Sequence, residues 1–323
     1  MSSVDVHIPN LPQNVDAIVR IGDYQALVIG WNEDPHIEGK WLYVSVVLTL
    51  LSDGTIESET PVLCPIPGST QELSACTVDN DVYVFGVLYT PERTRTNDMY
   101  LYTTDIGEWS VVPKVGSWPP GLVRPSTFSI DGTLYLRGNI STPPYSVEYW
   151  KYSSDTSWER VTMPEGKGVG DFCSCVTVQN RAYMIHKLSK RVRIFTPPES
   201  WQTEHTNLRA RTRAPVAYGR CVVATECIGR YNAPTEYTDH VYDTVSGEWV
   251  HSQESEWIDL SKQSDYGWHI CMIGPSTLLC IALYSHVRNE PTPPPRVMIR
   301  DIEEERWGDR VVFGLDDVTM GYV

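Results

Sequence analysis

Ser74-Ala-Cys-Thr-Val-Asp-Asn-Asp-Val-Tyr-Val-Phe-Gly86, followed by Asp98-Met-Tyr-Leu-Tyr-Thr-Thr-Asp-Ile-Gly-Glu-Trp109-Ser-Val-Val112, contains the plan of the whole chain. Apolar and polar residues alternate with a period of two, which predicts strands and not helices. Turn residues separate the runs, so the unit reads as four antiparallel strands joined by hairpins. A polar stretch divides the second strand from the third. Trp109 opens the fourth strand as a large apolar wedge, of the kind a small sheet needs to pack on its neighbour.

Working outward, the same pattern returns on both sides. Ser126-Thr-Phe-Ser-Ile-Asp-Gly-Thr-Leu-Tyr-Leu-Arg-Gly138 leads to Val147-Glu-Tyr-Trp-Lys-Tyr152 and then Trp158. Later copies end in Trp201, Trp249 and Trp307, and an earlier one runs from Ala17 to Ile56 with isoleucine in the place of tryptophan. Asp53-Gly54 and Asp131-Gly132 are tight-turn pairs. The tryptophans at 109, 158, 201, 249 and 307 lie on average 49.5 residues apart. Six such units need about 297 of the 323 residues, and seven would need about 347. The expectation is an all-β, six-bladed propeller with four-stranded antiparallel blades. The period matches the roughly 50 residues of Kelch repeats better than the roughly 40–45 of WD repeats.

On these residues the chain resembles the Kelch-repeat family along nearly its whole length. The matching elements are the glycine after strand two (Gly30, Gly86, Gly138), the third-strand tyrosine (Tyr102, Tyr152, Tyr242) and the tryptophan set. The family's second glycine is replaced by Trp31, Val87 and Asn139, so no subfamily is assigned. A single propeller domain spanning 1–323 is expected, with blades at 15–65, 66–115, 116–165, 166–206, 207–256 and 257–313. Segments 1–14 and 314–323 would assist closure of the ring by the two termini. Val4-Asp-Val-His-Ile8 and Asp309-Arg-Val-Val-Phe313 compete for the outer strand of the last blade, and mixed closure is expected, since an open edge exposes unpaired strand.

The resemblance implies that ligands meet one face. That face would be built from the loops between strands two and three (31–40, 87–97, 139–146, 186–191, 230–238, 284–295) and the loops between blades (65–73, 114–125, 164–171, 202–216, 255–268). Net charge is −15, which argues against nucleic acid or an anionic membrane as partner. The charge is uneven, however. Between Arg181 and Arg230 ten basic residues face three acidic ones, so this stretch carries +7 and the remainder −22. Lys187, Lys190 and Arg191 fall in one expected loop, and Arg209, Arg211 and Arg213 in another on the same face. Arginine forks suit carboxylate or phosphate recognition. The two readings are a solvated basic surface and a pocket for an acidic ligand. Trp118, Trp257 and Trp268 lie in expected inter-blade loops, as interface anchors or as caps on blade ends, and Trp31 opens the first inter-strand loop.

The eight cysteines include no C-x-x-C pair and mostly sit in apolar runs, which predicts buried thiols and a reducing compartment. The opening Met-Ser-Ser-Val-Asp-Val has no basic or apolar leader pattern, and a cytoplasmic location is the expectation. Catalytic searches return little. Gly166-Lys-Gly-Val-Gly-Asp171 joins two strands with no helix to hold a phosphate. Glu236-Tyr-Thr-Asp-His240 reads as a polar loop entering a strand before it reads as a metal site. No cofactor or metal is expected. The leading reading is a non-catalytic module that binds a protein or peptide segment, acidic in character, over blades four and five. The alternative is a propeller enzyme or a binder of a small, sugar-like ligand at the mouth of the central channel.

Overall fold

A computed structural model describes residues 4–6, 8–34, 36, 37, 40–67, 70–88, 97–140, 146–152, 157–162, 173–186, 191–197, 200–205, 211–230, 233–254, 268–275, 277–282 and 296–301. Strand β1 (Val4–Val6) comes first, followed by a sheet of β2 (Asn14–Gly22), β3 (Gln25–Glu33), β4 (Trp41–Leu50), β5 (Ile56–Ser58) and β6 (Val62–Leu63). The second sheet holds β7 (Thr70–Val78), β8 (Asp81–Leu88), β9 (Asp98–Thr103) and β10 (Glu108–Val111). The third holds β11 (Val123–Ile130), β12 (Thr133–Asn139), β13 (Val147–Tyr152) and β14 (Glu159–Val161). The fourth comprises β15 (Cys173–Val178), β16 (Arg181–His186), β17 (Arg191–Thr196) and β18 (Ser200–His205). The fifth comprises β19 (Arg211–Tyr218), β20 (Cys221–Arg230), β21 (Ala233–Asp243) and β22 (Glu248–Glu254). The last joins β23 (Trp268–Met272), β24 (Thr277–Ala282) and β25 (Arg296–Asp301) to β1.

All these pairings are antiparallel, and the sheets are arranged as a β-propeller. The first strands of successive sheets, β2, β7, β11, β15, β19 and β23, neighbour one another in that order, and β23 also meets β2. Apolar clusters fill the spaces between consecutive sheets. One joins Tyr43 and Leu27 to Val82 and Tyr100, and another joins Phe85 and Met99 to Leu136 and Trp158. The seam between the first and last sheets is filled by Val15, Val28, Leu48, Leu279 and Ile281, all buried.

Trp109, Trp158 and Trp249 act as the periodicity implied, and Trp307 lies outside the described residues. Trp109 stands opposite Tyr102 and Trp249 opposite Tyr242, in both cases with ring centroids 5.2 Å apart. Trp158 repeats the contact with Tyr152 and is 1% exposed. Val4–Val6 pairs with β25, Val4 opposite Ile299, so the N-terminal segment takes the outer place in the last sheet. The rival segment 309–313 lies outside the described residues.

Several strand ends differ from the expected loops. The first sheet has five strands and not four, because its outer strand is split into β5 and β6. Pro61 between them has no N–H to continue the ladder. Trp31 lies within β3, opposite Asn14 and Tyr43, and does not open a loop. The expected loop 230–238 is replaced by a long hairpin in which β20 runs to Arg230 and β21 begins at Ala233. Polarity misled the reading there. The far end of a hairpin can be paired in full while its side chains are as polar as those of a loop.

The tight turns carry their own residue chemistry. Positive φ occurs at Asp131 and Gly132, and at Gln179 and Asn180, in the turns between strands one and two. Asp, Asn and Gly accept this conformation readily, whereas Gln179 at φ 46° has only the steric penalty. Replacing the exposed Gln179 by Asn is therefore expected to stabilise the fold by up to about 1 kcal/mol, read from the denaturant midpoint.

Candidate functional site

Strands one and three of every sheet begin at the face that carries the connections between sheets. Arg191 opens β17, opposite His205, and Arg211 opens β19, opposite Cys227. Arg213 pairs with Thr225 just before a bulge in β19. The backbone thus sets Arg191, Arg211 and Arg213 at the loop face of two neighbouring sheets. The expected loops shrink accordingly: Arg191, Arg211, Arg213 and Trp268 are strand residues, Trp268 opening β23 opposite Ala282. Arg209, Lys187, Lys190 and Trp257 lie outside the described residues.

Trp118 is a cap. Its ring meets Trp158 edge-on at 6.2 Å, and its indole N–H donates to the Asn97 carbonyl at 2.6 Å. His240 is buried against the edge of Trp249, and the stretch 236–240 is part of β21 and not a loop. Among the described residues, no group of three or more His, Cys, Asp or Glu is arranged to hold a metal.

Towards the loop face the inner strands β2, β7, β11 and β19 are bulged, a device that re-aims side chains. In β2 the register shifts between Val15 and Ala17, and Asp16 is the extra residue. Its carboxylate accepts a hydrogen bond from the Tyr43 hydroxyl at 2.6 Å. Desolvation outweighs that bond and lifts the Asp16 carboxyl from its ordinary 3.8 to about 6. In β11 the shift lies between Val123 and Ser126, and Arg124 takes φ 52° while its N–H donates to the Glu72 carboxylate. On β23, desolvation lowers His269 to about 4, and its bond with the Val15 backbone restores only part.

The opposite end of the channel holds an open-sided cavity of about 510 Å³. Inner strands β2, β7, β11 and β15 form its wall, and the turn residues Asp23, Asp79 and Asn80 its rim. A row of hydroxyls crosses it from blade to blade. Thr77 donates to the Arg20 carbonyl and Ser129 to the Thr77 carbonyl at 2.7 Å. Thr177, at the same repeat position on β15, has a buried hydroxyl with no hydrogen-bond partner among the described residues. The Arg20 side chain is held at the rim by the Gly22 carbonyl at 2.8 Å and by Asp23.

Asp16, His269 and Thr177 were not singled out from sequence. The hydroxyl row has a visible signal in Cys-Thr77-Val, Phe-Ser129-Ile and Val-Thr177-Val, each just before a turn. Asp16 leaves only a carboxylate between Val15 and Ala17. The cysteine expectation fares well where it can be seen. Cys64, Cys221, Cys271 and Cys280 are buried thiols, and Cys76 and Cys175 are partly exposed ones. Burial pushes the Cys64, Cys76 and Cys271 thiols up to about 12, so they stay protonated near neutral pH. No helix among the described residues is long and apolar enough to cross a membrane.

No family model and no curated protein matches the chain. Among solved structures, it is similar to that of YjhT, with a TM-score of 0.60 at 12% identity, over 91% of this chain and 99% of that one. It is similar also to a protein of unknown function from Dyadobacter fermentans, with a TM-score of 0.61 at 11% identity, over 93% and 99%. At these identities the likeness is one of propeller fold alone.

Proposed function

We propose that this protein is a non-catalytic interaction module: one ring of six Kelch-like blades that binds an acidic protein or peptide segment through its loop face. The supporting observation is that the starts of β17 and β19 bring Arg191, Arg211 and Arg213 to the same face of adjacent sheets. They belong to a stretch of +7 in a chain that is otherwise strongly acidic. A basic surface of this kind selects carboxylate-rich segments. The buried thiols suit a reducing compartment, and we assign the protein to the cytoplasm.

Reversal of charge at Arg209, Arg211 and Arg213 to Glu is the test, with a labelled oligoglutamate peptide as probe. The variant should bind at least tenfold more weakly at low salt and keep the wild-type melting curve. Equal affinity in the two proteins would overturn the assignment. A second reading, an enzyme or small-ligand binder at the channel mouth, is favoured by the perturbed Asp16 and His269 on neighbouring inner strands.

A further inference from the structure

The tip of the β3–β4 hairpin carries an aromatic surface that neither the core nor the proposed basic face accounts for. Side chains alternate along a strand, so Trp31 and Glu33 on β3 share one face of the sheet with Trp41 and Tyr43 on β4. Tyr43 is buried in the cluster between the first and second sheets. Trp31, half-buried, packs against the edge of that cluster, and Trp41 lies beyond it, 41% exposed. The two indole centroids are 5.1 Å apart, so Trp31 props the Trp41 ring while much of that ring stays in solvent. The chain entering the first blade braces the tip as well. The Gln13 N–H donates to the Asn32 side-chain oxygen at 2.7 Å, and the Gln13 side-chain oxygen accepts from the Glu33 N–H at 3.0 Å. An aromatic ring that is exposed yet held in place has the character of an interface anchor, since little freedom is left to lose on binding.

The charges around this ring select the partner. Lys40 is paired with Asp34 at 3.5 Å, and alternation puts both on the opposite face of the hairpin. Glu33 stands directly opposite Trp41 and is exposed, and its carboxylate has no ion pair among the described residues. Residues 15–65 hold eight acidic side chains against two basic ones. We propose that this tip docks a basic segment of a partner protein, an arginine of which lays its planar guanidinium on Trp41 and forks onto the Glu33 carboxylate. Directly opposed cross-strand side chains stand about 5 Å apart at Cβ, which lets one guanidinium reach both. Guanidinium suits the pair better than ammonium, because it stacks on an aromatic face and is more weakly hydrated. At least one sheet lies between this surface and the basic one in either direction around the ring, so neither reading depends on the other.

The test is fluorescence anisotropy with a labelled peptide that alternates arginine and alanine, set against its lysine counterpart of equal charge. Wild type should bind the arginine peptide about threefold or more tighter than the lysine one. Trp41→Ala and Glu33→Gln should each weaken the arginine peptide about threefold, and together about tenfold. Glu108→Gln, which removes an exposed carboxylate from the second sheet, should leave its binding unchanged. Glu33→Gln alters one exposed side chain, so it carries the test if Trp41→Ala does not fold. A lysine peptide bound as tightly as the arginine one, or an equal loss in Glu108→Gln, would reduce the effect to general charge attraction and overturn the proposal. Unchanged binding in Glu33→Gln would overturn it too. So would sedimentation showing that the tip joins two copies of this chain, with self-association abolished in Trp41→Ala.

Discussion

Asp16→Asn should stabilise the protein by up to about 3 kcal/mol at neutral pH and expose a pH dependence that wild type conceals. The folded Asp16 carboxyl titrates near 6 against an ordinary 3.8. An acid raised in this way contributes stability that is complete below 3.8 and gone once the pH has risen past 6. His269 is displaced the other way, to about 4 from 6.5, so its contribution is complete above 6.5 and lost as pH falls to 4. Between these limits the folded protein keeps a proton on Asp16 and none on His269, while the unfolded chain does the reverse. Their proton counts are equal, so the two dependences cancel. Asp16→Asn keeps an acceptor for Tyr43 and leaves His269 alone to act. Relative to wild type its stability should climb by about 1.4 kcal/mol per pH unit across this window. His269→Gln keeps an N–H for Val15 and should fall by a similar amount. Denaturant titrations at pH 4.5, 5.0 and 5.5 would reveal the pair, and parallel profiles for all three proteins would refute it.

Gly30→Ala should cost about 3 kcal/mol or more, the upper range for overpacking a core. An added Cβ would lie 2.0 Å from the Asn14 carbonyl oxygen and 2.8 Å from Pro12 Cβ. The nearer atom is backbone, at the point where the chain enters the first inner strand, and it has no rotamer by which to move away. At Gly138, its counterpart two sheets on, the Cβ would meet the Leu122 side chain at 2.5 Å. Gly54 is the control. It sits in a turn at φ 84° with nothing near its missing Cβ, so Gly54→Ala carries only the conformational penalty of about 1–2 kcal/mol. Thermal unfolding should separate the two variants, and equal losses would count against the steric account.

These glycines show what a sequence can disclose. Gly30, Gly86 and Gly138 recur towards the end of the second strand and not after it, and at Gly30 and Gly138 the chain entering the blade crosses close above, a requirement that repeats with the fold. Tyr102 with Trp109 and Tyr242 with Trp249 are legible for the same reason, since every sheet needs a wedge against its neighbour. The site features belong to single blades. Asp16 faces Tyr43 only because β2 bulges there, and a bulge adds one residue without announcing itself in an alternation pattern. The strand positions of Arg191 and Arg211 were hidden by polarity, because sheet ends that project beyond the core look like loops. Thr177 was readable as a repeat of Thr77 and Ser129, but its missing partner is a matter of distance and burial.

The pairing of Val4–Val6 with Arg296–Asp301 has a consequence for how the protein is made. The two halves of that pair leave the ribosome about 290 residues apart. While the intervening sheets are being synthesised, the first strand has no mate, and the first inner strand lacks its flank from β23. The nascent chain therefore carries an unpaired edge and an uncovered apolar side until β25 has emerged, the two features that invite association between unfinished copies. Slower translation prolongs that exposure, and the yield of native protein should depend on how quickly the codons between those two strands are read and on which chaperones guard the emerging edge.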